Sequence, residues 1–162
     1  MKVKLFYYVC MNVEKLGYNK AKEKAKKLYS DIGAVRCPAL GDEYVFFSSL
    51  GFNHLIRKGR IPRSRNEQKR RFTLLLHVEK IIKSPKAVII YRKENVKEKS
   101  NRHGEKILIE SVAHFWALIE KIEDCEVKVI VRQLKDGNKH FFSVMGDNVK
   151  ILKTKNPRNR EF

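Results

Sequence analysis

EVKVIVRQLKDGNKHFFSVM, residues 126–145, decides the fold. Val127, Val129 and Val131 alternate with Lys128, Ile130 and Arg132, the period of two expected of a strand with one buried face. Lys-Asp-Gly-Asn at 135–138 then marks a tight hairpin, and the chain returns through Lys139–Met145 as a second strand. Regular alternation sends Lys139, Phe141 and Ser143 to one face and His140, Phe142 and Val144 to the other. A regular strand therefore cannot present Ser143 and His140 to the same side. Arg132, out of phase with the buried valines, is expected to face out. Alternation alone leaves open whether Ser143 with Lys139, or His140, faces the same open cleft while the other packs beneath the helices.

Working back from this hairpin, ILIESVAHFWALIEKI (107–122) has spacings that fit a helix over 112–120. Its Phe115, Trp116 and Ile119 favour a strand, as does the β character of its neighbours. KAVIIYR (86–92) is an apolar β-branched run, and the hydrophilic KENVKEKSNRHGEK between the two reads as loop. Further upstream, Arg65–Ser84 is an amphipathic helix with Phe72, Leu75, Leu76, Val78 and Ile82 on one face, stopped by Pro85. Tyr18–Ser30 is a second helix, with Ala21, Ala25 and Leu28 beneath a lysine-rich surface and Gly33 just past its end. AVRCPALGDE reads as loop, YVFF (44–47) is too short to classify, and Ser48 or Ser49 is placed to cap a short helix bearing His54. Residues 3–10 fit either a strand or a helix start, and the tail KTKNPRNREF is basic and expected to fray. The result is an α+β domain, with N-terminal helices packed on one face of a roughly four-stranded antiparallel sheet. Phe72, Leu75, Leu76, Val129, Val131 and Phe142 are its expected core.

Chemistry concentrates in GFNHLIRKGRIPRSRNEQKRRF, residues 51–72. From Arg57 to Arg71 there are eight Lys/Arg and one acid, Glu67, with His54 a turn upstream. Cations hold a phosphate, and a group titrating near neutrality moves protons, so this combination suits a phosphodiester. His54 is the candidate base or acid, with Lys58, Arg63 and Arg71 supplying charge. Arg57, Arg60, Arg65 and Gln68 are further candidate nucleic-acid contacts here, with Arg132 and Lys139 from the hairpin. The same composition also suits a solvated basic surface that holds phosphate without cleaving it.

Whole-chain composition agrees with a polyanionic partner. The 162 residues carry 36 Lys/Arg against 18 Asp/Glu, a formal charge of +18, with 43% hydrophobic content for a core. No apolar run approaches the length of a membrane span, and no membrane partner is expected. Cys10, Cys37 and Cys125 are odd in number and widely spaced, which reads as reduced thiols. The N-terminal MKVKLFYYVCMN lacks a small-residue cleavage site, so a cytoplasmic location is expected. His77, His103 and His114 share no ligand spacing, and no phosphate-binding loop, dinucleotide fingerprint or carboxylate cluster occurs. No metal and no cofactor are expected.

The GFNHL segment with His54, the basic GRIPRSRNEQKRRF helix, the VKVIVRQ strand and the KHFFSV strand with Ser143 together resemble the Barnase–EndoU–colicin–RelE superfamily of small ribonucleases. The likeness is to the branch found in phage and bacterial toxin proteins, and it covers roughly residues 44–146. It implies a nuclease-like core at 44–146 within a single domain, with an N-terminal helical segment (1–43) and a basic tail (147–162). It also implies metal-independent RNA cleavage by attack of the ribose 2′-hydroxyl, assisted by histidine, basic residues and a late-strand Ser or Thr. His54, Lys58, Arg71 and Ser143 would then be catalytic. RNA is the implied substrate and an acidic antitoxin or immunity protein the implied partner. The alternative is a non-catalytic RNA-binding or ribosome-associated module.

Overall fold

Among the described residues six strands, rather than four, form the main sheet, in the order β1 (Ala34–Cys37), β2 (Glu43–Phe46), β8 (Lys139–Asn148), β7 (Cys125–Leu134), β6 (Glu105–Ile122) and β5 (Val88–Arg102). The structure is a computed structural model that describes residues 15–123 and 125–148. The readings made for residues 3–10, for Cys10 and for the tail beyond Asn148 lie outside the described residues. Within them the chain runs α1 (Tyr18–Ile32), β1 (Ala34–Cys37), a 3-10 turn (Pro38–Leu40), β2 (Glu43–Phe46), α2 (Ser49–Ile56), β3 (Arg57–Lys58) and β4 (Ile61–Pro62). It continues through α3 (Arg65–Lys83), β5 (Val88–Arg102), β6 (Glu105–Ile122), β7 (Cys125–Leu134) and β8 (Lys139–Asn148).

The sheet is mixed. Its neighbours are antiparallel except β2 and β8, which pair in parallel at Val45↔Lys139 and Phe46↔His140 only. Both additional strands come from AVRCPALGDEYVFF, most of which reads as loop by its Pro and Gly. Val35 and Cys37 are buried while Ala34 and Arg36 are exposed, a period of two over only four residues. Gly41, at φ 71, makes the turn that returns β2 alongside β1.

A second correction concerns KENVKEKSNRHGEK, which is strand and not loop. β5 and β6 pair without interruption from Val88↔Ile119 to Arg102↔Glu105. The turn between them is His103–Gly104, with φ of 50 and 84, the double positive φ of a tight two-residue hairpin. Apolar alternation is missing there because little covers this ribbon. Cross-strand pairs of opposite charge, Lys97↔Glu110 and Arg102↔Glu105, support the register instead.

The core joins Ala21, Ala25 and Tyr29 of α1 and Phe72, Leu75, Val78, Ile81 and Ile82 of α3 to Leu118, Val127, Val129, Val131, Phe141 and Val144 of the sheet. Val129 and Val131 are fully buried, as their alternation requires. Phe141 fills the core position expected of Phe142, and Leu76 is only half-buried. The reason is a β-bulge: Ile130 faces Ser143, Val131 faces Phe141, and Phe142 is the extra residue between. The bulge reverses strand parity across Phe142. Lys139, the partner of Gln133, shares the helix-facing side with Phe141. His140, opposite Arg132, shares the other side with Ser143, opposite Ile130. The expected separation of Ser143 from His140, and the expected pairing of Ser143 with Lys139, are both overturned.

Candidate nucleic-acid site

His54 stands where the short α2 takes over from β2 along the edge of β8. Ser48 occupies the N-cap position of α2 without a side-chain capping bond; the Ser48 carbonyl instead accepts from Tyr29 Oη at 2.7 Å. At Gly51 the helix meets β8 directly: an added Cβ would lie 2.5 Å from the Phe141 carbonyl oxygen and 2.3 Å from Tyr29 Oη. Glycine is thus required for close approach. One turn later the His54 ring lies 4.2 Å, centroid to centroid, from Phe142. At the C-terminal end of α2, Arg63 Nε donates to the His54 carbonyl oxygen at 3.1 Å, satisfying one of the carbonyls a helix end leaves free.

A small arginine network surrounds this imidazole. Glu67, in the first turn of α3, accepts from Arg63 Nη1 at 2.8 Å and from Arg71 Nε and Nη2 at 3.3 and 3.2 Å. Ser64 caps α3 by accepting from the Glu67 amide at 3.2 Å, which fixes that carboxylate. Arg71 Nη1 then reaches β8, donating to Ser143 Oγ at 2.9 Å and to the Val144 carbonyl at 2.8 Å. Arg70 donates to the Gly146 carbonyl, so two arginines bond to carbonyls of β8 beyond its short pairing with β2. Arg132, on β7, lies over the Phe142 ring at 5.2 Å.

The electrostatic consequence falls on His54. Burial and then the charges of Arg63, Arg71 and Arg132 push its pKa down to about 4, so the imidazole is neutral at pH 7. Its Nδ1 is buried and has no hydrogen-bond partner among the described residues. A buried polar atom left unsatisfied costs free energy, and a catalytic role or an ordered water is among the explanations for one. An anion entering among the guanidiniums would offset their charge and raise the imidazole pKa.

The cluster therefore brings together His54, Arg63, Arg71, Arg132 and Ser143 from four separate segments. Other sequence candidates lie elsewhere or are held by neighbours. Arg57 and Lys58 are off the helix, exposed on β3, and Arg60 is exposed in the following turn. Arg65 lies over the Tyr18 ring at 5.1 Å. Gln68 is buried, donating to the Arg63 carbonyl at 2.7 Å and accepting from Tyr18 Oη at 2.6 Å. Lys139 bonds to Glu43 at 2.6 Å and lies over Trp116 at 4.8 Å.

Three residues escaped the sequence reading. His140, cross-strand partner of Arg132, also has a buried Nδ1 with no partner among the described residues; only the bulge brings it to this side. Phe142 supplies the ring between His54 and Arg132. Glu67 was visible as the single acid in the basic run, and its isolation there was the available signal for an anchor. Among the described residues no group of His, Cys, Asp or Glu could hold a metal ion, and no helix is long and apolar enough to cross a membrane. No protein family, curated protein or solved structure matches this chain.

Proposed function

We propose that the protein is a metal-independent endoribonuclease of the toxin-like kind. The observation that carries this reading is the neutral His54, its Nδ1 buried without a partner, ringed by Arg63, Arg71 and Arg132 and flanked by Phe142. In the reaction the 2′-hydroxyl oxygen bonds to phosphorus as the bond to the 5′-oxygen breaks. His54 accepts the 2′-hydroxyl proton, and a second group returns a proton to the leaving 5′-oxygen. His140 is suited to that second role because it shares a sheet face with Ser143 and Arg132. Arg132 and the Arg71–Ser143 pair are suited to the charge that develops on the phosphoryl oxygens. A pKa of about 4 would make His54 a weak base in the free protein. The negative charge of a substrate phosphate opposes the guanidinium charges and raises that pKa. The resemblance adds an acidic antitoxin or immunity protein as partner, which the +18 charge suits.

A specific observation favours a second reading, an RNA-binding module without chemistry. Arg63 and Arg71 side chains are only 8% and 12% exposed, and they bond to Glu67, to Ser143 and to backbone carbonyls. Such a network can be purely structural. Incubation of the purified protein with labelled RNA in EDTA decides between the two. Fragments ending in a 2′,3′-cyclic phosphate are expected; intact but retarded RNA supports the binding module and overturns the nuclease.

A further inference from the structure

The β5–β6 hairpin outruns the sheet. β7 pairs with β6 only from Ala113 to Ile122, so residues 95–102 and 105–112 form a two-stranded arm with no third strand among the described residues. That is about 27 Å of ribbon, and a lone two-stranded ribbon is marginally stable in water.

Strand parity sorts the charges of this arm. Directly paired residues share a face, so Lys93↔His114, Lys97↔Glu110, Lys99↔Leu108 and Asn101↔Lys106 lie together. This face carries four lysines against the one acid Glu110, and all four lysines are exposed. The reverse face holds Arg92 and Arg102 against Glu94, Glu98 and Glu105. Shelter follows the same division: Val96, Glu98, Ser100, Ile107 and Ile109 are half-buried on the reverse face, while Leu108 on the lysine face is 66% exposed. Glu98 is near enough to Arg132 for its charge to oppose the lowering of that pKa by burial, so the acidic side is turned toward the sheet. At the foot of the lysine face, Tyr91 is 51% exposed, bonded through Oη to His114 Nδ1 at 2.7 Å and 5.6 Å from the Trp116 ring. A lysine row continued by an aromatic ring is the combination that tracks a single-stranded backbone and stacks an unpaired base.

We propose that this face of the arm, with Lys93, Lys97, Lys99, Lys106 and Tyr91, is a second binding surface for single-stranded RNA, separate from the His54 cluster. It rests on the reading of RNA as the ligand. The test uses a labelled 2′-O-methyl RNA single strand, which lacks the attacking hydroxyl and so reports binding alone. Affinity is measured between 50 and 200 mM salt for wild type and for a Lys97→Gln/Lys99→Gln/Lys106→Gln variant. A charge-matched control, Lys24→Gln/Lys26→Gln/Lys27→Gln, alters exposed lysines on α1. The arm variant should bind more weakly, with a salt slope lower by about 2, three contacts at roughly 0.7 each for a single strand. The control should keep the wild-type slope. Tyr91→Ala should lower affinity roughly 5- to 150-fold with the slope unchanged. Equal losses in arm variant and control, or none in the arm variant, overturn the arm surface and leave the RNA reading standing. Absence of salt-dependent binding by wild type overturns both. If poly-glutamate binding is lost in the arm variant while RNA affinity holds, the face docks an acidic protein and the proposal fails.

Discussion

At the residue scale, the account turns on the imidazole of His54 and the arginines around it. Its pKa of about 4 lies below the ordinary value of 6.5, so the folded protein binds this proton less readily than the unfolded chain. The stability it contributes is present above pH 6.5 and is lost as pH falls toward 4. A His54→Gln variant should flatten that part of the stability–pH curve, measured as urea midpoints across the range. NMR titration of the imidazole should give a midpoint near 4 in the free protein and a higher one with a bound dinucleotide phosphate. An unmoved midpoint would remove the role assigned to substrate charge. Arg71→Ala has a different expected outcome. It removes charged hydrogen bonds to Glu67, Ser143 and the Val144 carbonyl, each worth about 1.5–3 kcal/mol, so the urea midpoint should fall as well as any activity. Ser143→Ala should disturb the fold far less, because Arg71 keeps its other two partners.

At the scale of elements, the site depends on how α2 and α3 approach β8. Gly51→Ala drives a methyl group into Tyr29 Oη and into the Phe141 carbonyl oxygen, and the latter is backbone that cannot yield without moving β8. The expected cost is about 1–3 kcal/mol, with His54 displaced from Phe142. Thermal melts would check the first part, and loss of any RNA cleavage the second. Leu75→Ala, in the middle of the α3 core face, should cost roughly 2–5 kcal/mol without that specific displacement. These elements also mark what the sequence could show. The α3 stripe and the valines of β7 repeat their period over enough residues to declare a buried face. Four-residue β1 and β2 do not, and the distal β5–β6 ribbon has no apolar period because no described element packs over its lysine face. The bulge at Phe142 is written nowhere in HFFSV. It follows from tertiary packing of Phe141 under α2, and one unpaired residue was enough to exchange the sides of Lys139 and His140 relative to Ser143. His54, Arg71 and Ser143 were legible as residue types suited to phosphate. Their assembly through Glu67 was not, since it depends on how α3 lies across the sheet edge.

At the scale of the molecule, a charge of +18 on 162 residues is self-repelling unless a polyanion is bound. Binding should therefore depend steeply on salt. A footprint of about 6–10 phosphates loses roughly 10³–10⁵ in affinity between 50 and 200 mM salt, and a flat response would contradict any nucleic-acid role. Salt dependence alone does not distinguish cleavage from binding, because both use the same field. The measurement that does is the single-turnover rate on saturating labelled RNA in EDTA, for wild type and His54→Ala side by side. The account predicts that the substitution slows cleavage about 10²–10⁴-fold while affinity at fixed salt changes little. Equal rates for the two proteins, or intact RNA from both, would contradict it.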